Sequence, residues 1–433
     1  MTRTTRIAAA LLGGTLLTTP GLAQEVEGAP DALRIGITTF LTGPASVFGV
    51  PAQEGAEMLI EGINADGGIG GVPVEATFID EGAGAQALTT AYRREVENGA
   101  DVMLASISSG NCTQLAPLAE DLQVINIMWD CGTQRIFEEA DYEYVFRTQA
   151  NATPEMLASV LYLIQQKPDF RTIAVVNQDY AWGRDSWDIF STALRALKPD
   201  VEVVGEFFPA FGAPDFSTEI SRLSALRPDV ILSTSWGGDL DTFVQQAAQR
   251  GLMNQSTFVL PLAESSLERL GSALPEGVIV GARGDHFFRH PEMVGQPEFD
   301  AFVEGFRERT GAYPIYSVFH MAQALAALEA AYDKAIEANG GAWPDKAGVI
   351  AAMEGLEFQG FGRPVTIRED HQGVEAQMLG TTATDPDLPF KTLANVVIYD
   401  GAPLTAPVGE ESLAWIGGLP ADFADTVDAT TFE

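Results

Sequence analysis

From residue 33 onward the chain alternates short apolar runs with amphipathic stretches, and that rhythm leaves few folds open. Apolar runs occupy residues 33–40, 72–79, 102–107, 124–127, 172–176, 201–207, 230–233, 257–261 and 278–281, and helical patterns lie between most of them. Ala52, Ala56, Leu59 and Ile63 recur at spacings of three and four, as do Trp187, Phe190, Leu194 and Leu197. Such spacing gathers apolar side chains on one stripe of a helix. Strands that alternate with helices in this way build parallel sheets covered on both sides, so the expected class is α/β.

The first unit carries most of the local information. Its apolar run breaks at Thr42-Gly43-Pro44, and Pro51 is expected to open a helix reaching Asn64. A loop at the carboxyl end of a strand is where open α/β sheets bind ligands. The helix N-terminus that follows adds free N–H groups and partial positive charge. By contrast, Gly67-Gly68-Ile69-Gly70-Gly71 follows a helix and precedes a strand. A dinucleotide fingerprint has the opposite order, so this segment reads as a helix stop and turn.

Residues 1–23 have the build of a secretory signal: Arg3 and Arg6, an apolar run over 7–17, and small residues ending at Ala23. The apolar run is too short to span a bilayer, and no later segment has that length and character. The signal lacks a lipobox cysteine, so the expected location is the periplasm. The remainder, about 410 residues, exceeds what one core organises and predicts two domains. The formal charge of −35 excludes a nucleic-acid partner and an anionic membrane surface, both of which need a basic face. Glu54, Glu57 and Glu61 belong to a solvated helix face. Cys112 and Cys131 are the two cysteines. In an oxidising compartment an even count predicts a disulfide.

The composition shifts near Ala150, where a helix is expected with Thr153 as its cap and Pro154 in its first turn. This marks a first passage between lobes, and residues 281–285 mark a second. From about Pro420 the chain is acidic and rich in small residues, and no fixed structure is expected there.

Several segments, in order, resemble the extracellular substrate-binding proteins of ABC transporters, in the leucine/isoleucine/valine-binding family. They are Thr42-Gly43-Pro44, the run from Ile63 to Gly71, Ser108-Ser109-Gly110-Asn111, Asp179-Tyr180-Ala181-Trp182-Gly183 and Asp370-His371-Gln372. The resemblance implies a type I periplasmic-binding-protein fold: two Rossmann-like lobes with parallel sheets, joined by hinge strands, with the ligand in the cleft between. On that plan residues 30–150 and 285–360 form the N-terminal lobe. Residues 151–284 and 361–415 form the C-terminal lobe, and 420–433 are an acidic tail.

Ser109 stands after a strand and before a helix expected near Thr113, where its hydroxyl and nearby N–H groups can hold a ligand carboxylate. The resemblance assigns that role to the serine at this position; an ordinary helix-capping serine is the alternative. In the next loop, Asp130 and Thr133 are candidates for the ligand head group, and a disulfide from Cys131 to Cys112 would preorganise this half of the site. Trp182 and Trp236 match aromatic positions of the family and would enclose the apolar part of a ligand; packing between elements is the alternative. Glu264 is a candidate for the ligand amine, or else a solvated glutamate at a helix start. Phe48 either narrows the pocket or packs on the hinge.

No nucleophile–base arrangement is visible: there is no Gly-x-Ser-x-Gly elbow and no His-Glu-x-x-His, so catalysis is not expected. Neither a cofactor nor a metal is expected. His286 and His290 have helical metal spacing, but Pro291 opposes helix there. His371 is expected to tie a late strand or the hinge. The expected function is a receptor of an ABC importer for an amino acid or a related small polar metabolite. It would work as a monomer that docks on a membrane permease. A sensory binding protein, or a receptor for an amide or aromatic acid, are the alternatives.

Overall fold

The computed structural model describes residues 26–432. The expected signal at residues 1–23 therefore lies outside the described residues. Two sheets organise the chain. The first contains β1 (Leu33–Thr39), β2 (Val74–Asp80), β3 (Val102–Leu104), β4 (Ile125–Met128) and β5 (Val145–Arg147). Its order is β2-β1-β3-β4-β5, all parallel.

The second sheet has a parallel half of β6 (Thr172–Val176), β7 (Glu202–Phe207), β8 (Val230–Leu232), β9 (Thr257–Leu260) and β10 (Ile279–Gly281). A short three-stranded sheet intervenes in the sequence, made of β11 (Glu357–Phe358), β12 (Val365–Ile367) and β13 (Gly373–Val374). The second sheet then continues antiparallel through β14 (Gln377–Thr384), β15 (Lys391–Tyr399) and β16 (Ala429–Phe432).

Buried strand residues such as Ile35, Ile37, Leu104 and Ile127, and in the second sheet Ile231, Phe258, Leu260 and Val280, are held against the helices. Parallel strands are covered on both faces, which is why these runs are continuously apolar rather than alternating. Among the described residues no helix is long and apolar enough to cross a membrane.

Several local expectations shift. The first helix spans Ser46–Ala65 and contains Pro51 within it. A proline in the second turn removes one internal hydrogen bond without setting the start. The helix expected near Thr113 begins at Ser109 (Ser109–Leu122). At the first passage, Asn151 rather than Thr153 caps the helix Ala152–Gln166, accepting the Thr153 N–H.

The segment after Pro420 is not structureless. Phe423 is buried, and β16 pairs with β15 as the sheet edge. Backbone pairing orders a polar strand that composition alone marks as tail. His371 does tie the passage: its Nδ1 lies 2.9 Å from the Val145 carbonyl, its ring stacks on Phe146 at 3.9 Å, and its own carbonyl accepts the Arg147 N–H.

Candidate ligand-binding cleft

The carboxyl ends of the parallel strands in the two sheets face each other. From the first sheet come the loops after β3 and β4. From the second come those after β6, β8, β9 and β10. Between them is a cavity lined by Ser109, Asp130, Gly132, Tyr180, Trp182, Trp236, Leu262, Arg283, Tyr316 and Ile107. The lobes meet closely: the cavity is about 10 Å³, room for about one water. Across it Gly238 donates its N–H to the Pro44 carbonyl at 3.1 Å. A side chain at Gly132 would collide with the Trp182 indole, its Cβ lying 2.3 Å from the ring.

The β3 loop is held by a buried carboxylate. Glu81 accepts bonds from Ser106 Oγ at 2.6 Å, Asn111 Nδ2 at 2.8 Å, the Ile107 N–H at 2.9 Å and Thr38 Oγ1 at 3.0 Å. Burial pushes its pKa up, against the pull of these donors. The result places Ser109 in the first turn of its helix, facing the cavity. Ser109 Oγ accepts the Thr133 N–H at 3.2 Å, so its own hydrogen is available to a solute. The Cys112–Cys131 disulfide ties this helix to the β4 loop.

Asp130 and Arg283 meet inside the cavity wall. Arg283 Nη1 donates to the Asp130 carbonyl at 3.1 Å and to Oδ1 at 3.2 Å. The rest of the guanidinium grips Glu155, with Nε at 3.1 Å from both oxygens and Nη2 at 2.9 Å from Oε1. Burial pushes Asp130 up to about 8, opposed by Arg283. It pushes Glu155 up to about 7 against the same opposition. Burial works against the Arg283 charge, but Glu155 and Asp130 outweigh it and hold the guanidinium protonated. Arg283 also has a left-handed backbone, φ 41°, which is uncommon without a glycine. On the far side of Asp130, Oδ1 contacts His320 Nδ1.

The aromatic wall comes from the second sheet and from the helix Tyr316–Ala338. Trp182 Nε1 donates to the Thr234 carbonyl at 2.9 Å, and Trp236 Nε1 to the Tyr180 hydroxyl at 2.6 Å. With their polar tips satisfied, both indoles present apolar faces. The Arg283 guanidinium sits 4.9 Å from the Trp182 ring and 5.8 Å from that of Tyr316.

Of the seven expected site residues, Ser109, Asp130, Trp182 and Trp236 share this cavity. Three do not line it. Thr133 turns its hydroxyl onto Asp185 at 2.6 Å. Phe48 packs behind, 5.4 Å from Trp236 and 4.9 Å from Tyr316, which is the packing alternative. Glu264 is neither solvated nor in the cavity: its carboxylate accepts the Tyr316 N–H at 2.8 Å, at the start of that helix.

Sequence reasoning passed over Arg283, Tyr180 and Tyr316. Tyr180 stood inside the Asp179–Gly183 segment that carries part of the family resemblance. Arg283 stood in the second passage, the one arginine or lysine between Arg269 and Arg289. Tyr316 carried no local signal.

Two sheets of this topology, facing across one cleft, define a two-lobed solute-binding receptor. Residues 32–385 match the family model for periplasmic binding protein, and the chain belongs to that family. It is 26% identical to the Leu/Ile/Val-binding protein homolog 7 of Brucella abortus over 382 residues, covering 84% of this chain and 93% of that one. A solved ABC-transporter solute-binding protein of Rhodopseudomonas palustris in complex with benzoate superposes with TM-score 0.73 at 18% identity, covering 88% of this chain and 98% of the other. The leucine-, isoleucine-, valine-, threonine- and alanine-binding protein of Brucella ovis, in closed conformation, gives 0.71 at 18% identity with the same coverage.

Proposed function

We propose that the protein is the periplasmic receptor of an ABC importer and carries an α-amino acid to a membrane permease, without converting it. The carrying observation is the composition of the cavity between the sheets: a serine at a helix N-terminus, a carboxyl group and a cage of rings. The solute carboxylate meets the Ser109 hydroxyl and the helix N-terminus. Its ammonium meets Asp130 and the faces of Trp182, Trp236 and Tyr316. An ammonium beside Asp130 favours its ionised form, working against the burial that pushes this group up to about 8.

Residues 30–150 with 285–360 then act as one lobe, and 151–284 with 361–415 as the other, moving about the chain passages near residues 150, 284 and 360. Because the cavity has room for about one water as described, a solute enters only with the lobes apart and stabilises closure through contacts to both. An aromatic acid is the second reading, favoured by the four rings that line the cavity. A thermal-shift screen with amino acids, their amides and benzoates tests the proposal. A shift with amino acids alone supports it, a shift with benzoates alone selects the second reading, and no shift with any removes both.

A further inference from the structure

Behind Asp130, on the side away from the cavity, a second group of ionisable side chains is buried where the chain passes between lobes. His286 follows β10, Glu375 precedes β14, and His320 lies in the helix Tyr316–Ala338. All three are buried, and one ligating atom from each lies within 4.8 Å of the others. The His286 and His320 rings meet edge to face with centroids 4.9 Å apart. His286 Nε2 is 3.4 Å from Glu375 Oε2. Even so, neither His286 nitrogen has a hydrogen-bond partner. A buried imidazole with a carboxylate nearby but no aligned hydrogen bond at either nitrogen is costly, and calls for an explanation.

The carboxylate is held ready. Glu375 Oε1 accepts the Ala150 N–H at 2.6 Å, and Oε2 accepts from Gln323 Nε2 at 2.9 Å. Each oxygen keeps a further lone pair. His320 is oriented by Asp130 at Nδ1, and its Nε2 lies 2.9 Å from the Arg283 carbonyl. Asp130, Glu155 and Glu375 are buried here beside Arg283, and Arg147 is buried within electrostatic reach of Glu155.

We propose that His286, His320 and Glu375 form a site for one divalent transition-metal ion of the zinc class. Two imidazoles and a carboxylate, with a fourth position open, suit such an ion. Ligand atoms about 2.1 Å from zinc stand about 3.3 Å apart, so the trio draws together by roughly an ångström as the ion enters. On binding, His320 releases to solvent the Nε2 proton that faces the Arg283 carbonyl, ligates through Nε2 and takes its ring proton at Nδ1 from Asp130, giving the carboxylate–histidine–metal arrangement that fixes a ligand's orientation. His286 lies just past the second passage and Glu375 accepts the Ala150 N–H at the first, so an ion here ties the two passages and stiffens the hinge.

The test uses the full chain without a polyhistidine tag, treated with chelator and titrated with Zn²⁺ against a chromophoric competitor, and separately with Co²⁺. One equivalent of Zn²⁺ bound with a Kd of about 1 μM or tighter, and visible d–d absorption with Co²⁺, are the expected results. His286→Asn and Glu375→Gln should each weaken Zn²⁺ at least about tenfold and bleach the Co²⁺ band. Thermal melting of each variant checks that it folds. Both should retain the parent's thermal shift with the cleft solute, which keeps failure here separate from failure of the amino-acid reading. Absence of stoichiometric Zn²⁺ in the parent, or unchanged binding in both folded variants, overturns the proposal.

Discussion

Replacing Arg283 with methionine tests the reading of the cleft wall most severely. The side chain is almost fully buried, and its guanidinium is the shared counter-charge of Asp130 and Glu155, at 3.2 Å and 2.9 Å. Methionine keeps most of the volume but strands two carboxyl groups in a low-dielectric setting. Breaking a buried pair by removing one partner costs about 3–5 kcal/mol. With an unfolding entropy of about 2.1 cal/mol/K per residue over about 400 residues, that is a fall in Tm of about 4–6 °C. Adding Asp130→Asn and Glu155→Gln should recover more than half of the loss, because neutral amides need no counter-charge. Melting followed by circular dichroism, with chemical denaturation alongside, reads both steps. A single variant that melts within about 1 °C of the parent refutes the argument. So does a triple variant no more stable than the single one.

The double variant Ser109→Ala/Trp182→Ala should lose at least about 100-fold in solute affinity, since it removes a polar anchor and a ring on opposite lobes; Trp182 is buried, so the variant melts lower by about 4–6 °C yet still folds, which circular dichroism verifies. Calorimetric titration checks this, and unchanged affinity would move the site elsewhere. Glu264 is held up at about 8 by burial, opposed by the Tyr316 N–H and Arg269. Its folded pKa lies above its unfolded value, so its contribution is fully present below about pH 4.5 and is lost as pH rises toward about 8. Glu264→Gln should therefore flatten the fall in stability across that window, and a parent-like slope in urea titrations would contradict the assignment. Replacing both Cys112 and Cys131 with alanine should cost about 3 kcal/mol, measured by denaturant midpoint against the oxidised parent. A loss under about 1 kcal/mol would show that the tie contributes little to the first lobe.

Much of the fold was legible because strand and helix periods are local. Residues 172–176 are β6 as read, and the other apolar runs match strands to within a few residues. The misses have local causes too. β5 has three residues, too few to show a period, and β16 is a polar edge strand whose order comes from pairing with β15. In the cleft, Ser109 and the two tryptophans were readable because loops at strand ends announce themselves. Glu264 and Thr133 sat in the right loops but aim elsewhere, onto the Tyr316 N–H and Asp185. A loop's position is set by the chain, whereas a side chain's direction is set by what packs on it.

The sequence by itself determined the α/β architecture, the family, the acidic exterior and the two cysteines placed for a tie. The tertiary structure alone decided that Arg283 would bridge Asp130 and Glu155, and that His286, His320 and Glu375 would be buried together. Periodicity and turn chemistry act over a few residues and can be read along the chain. Charge pairing and desolvation act through space, between residues that only the folded lobes bring together, and no local pattern records them.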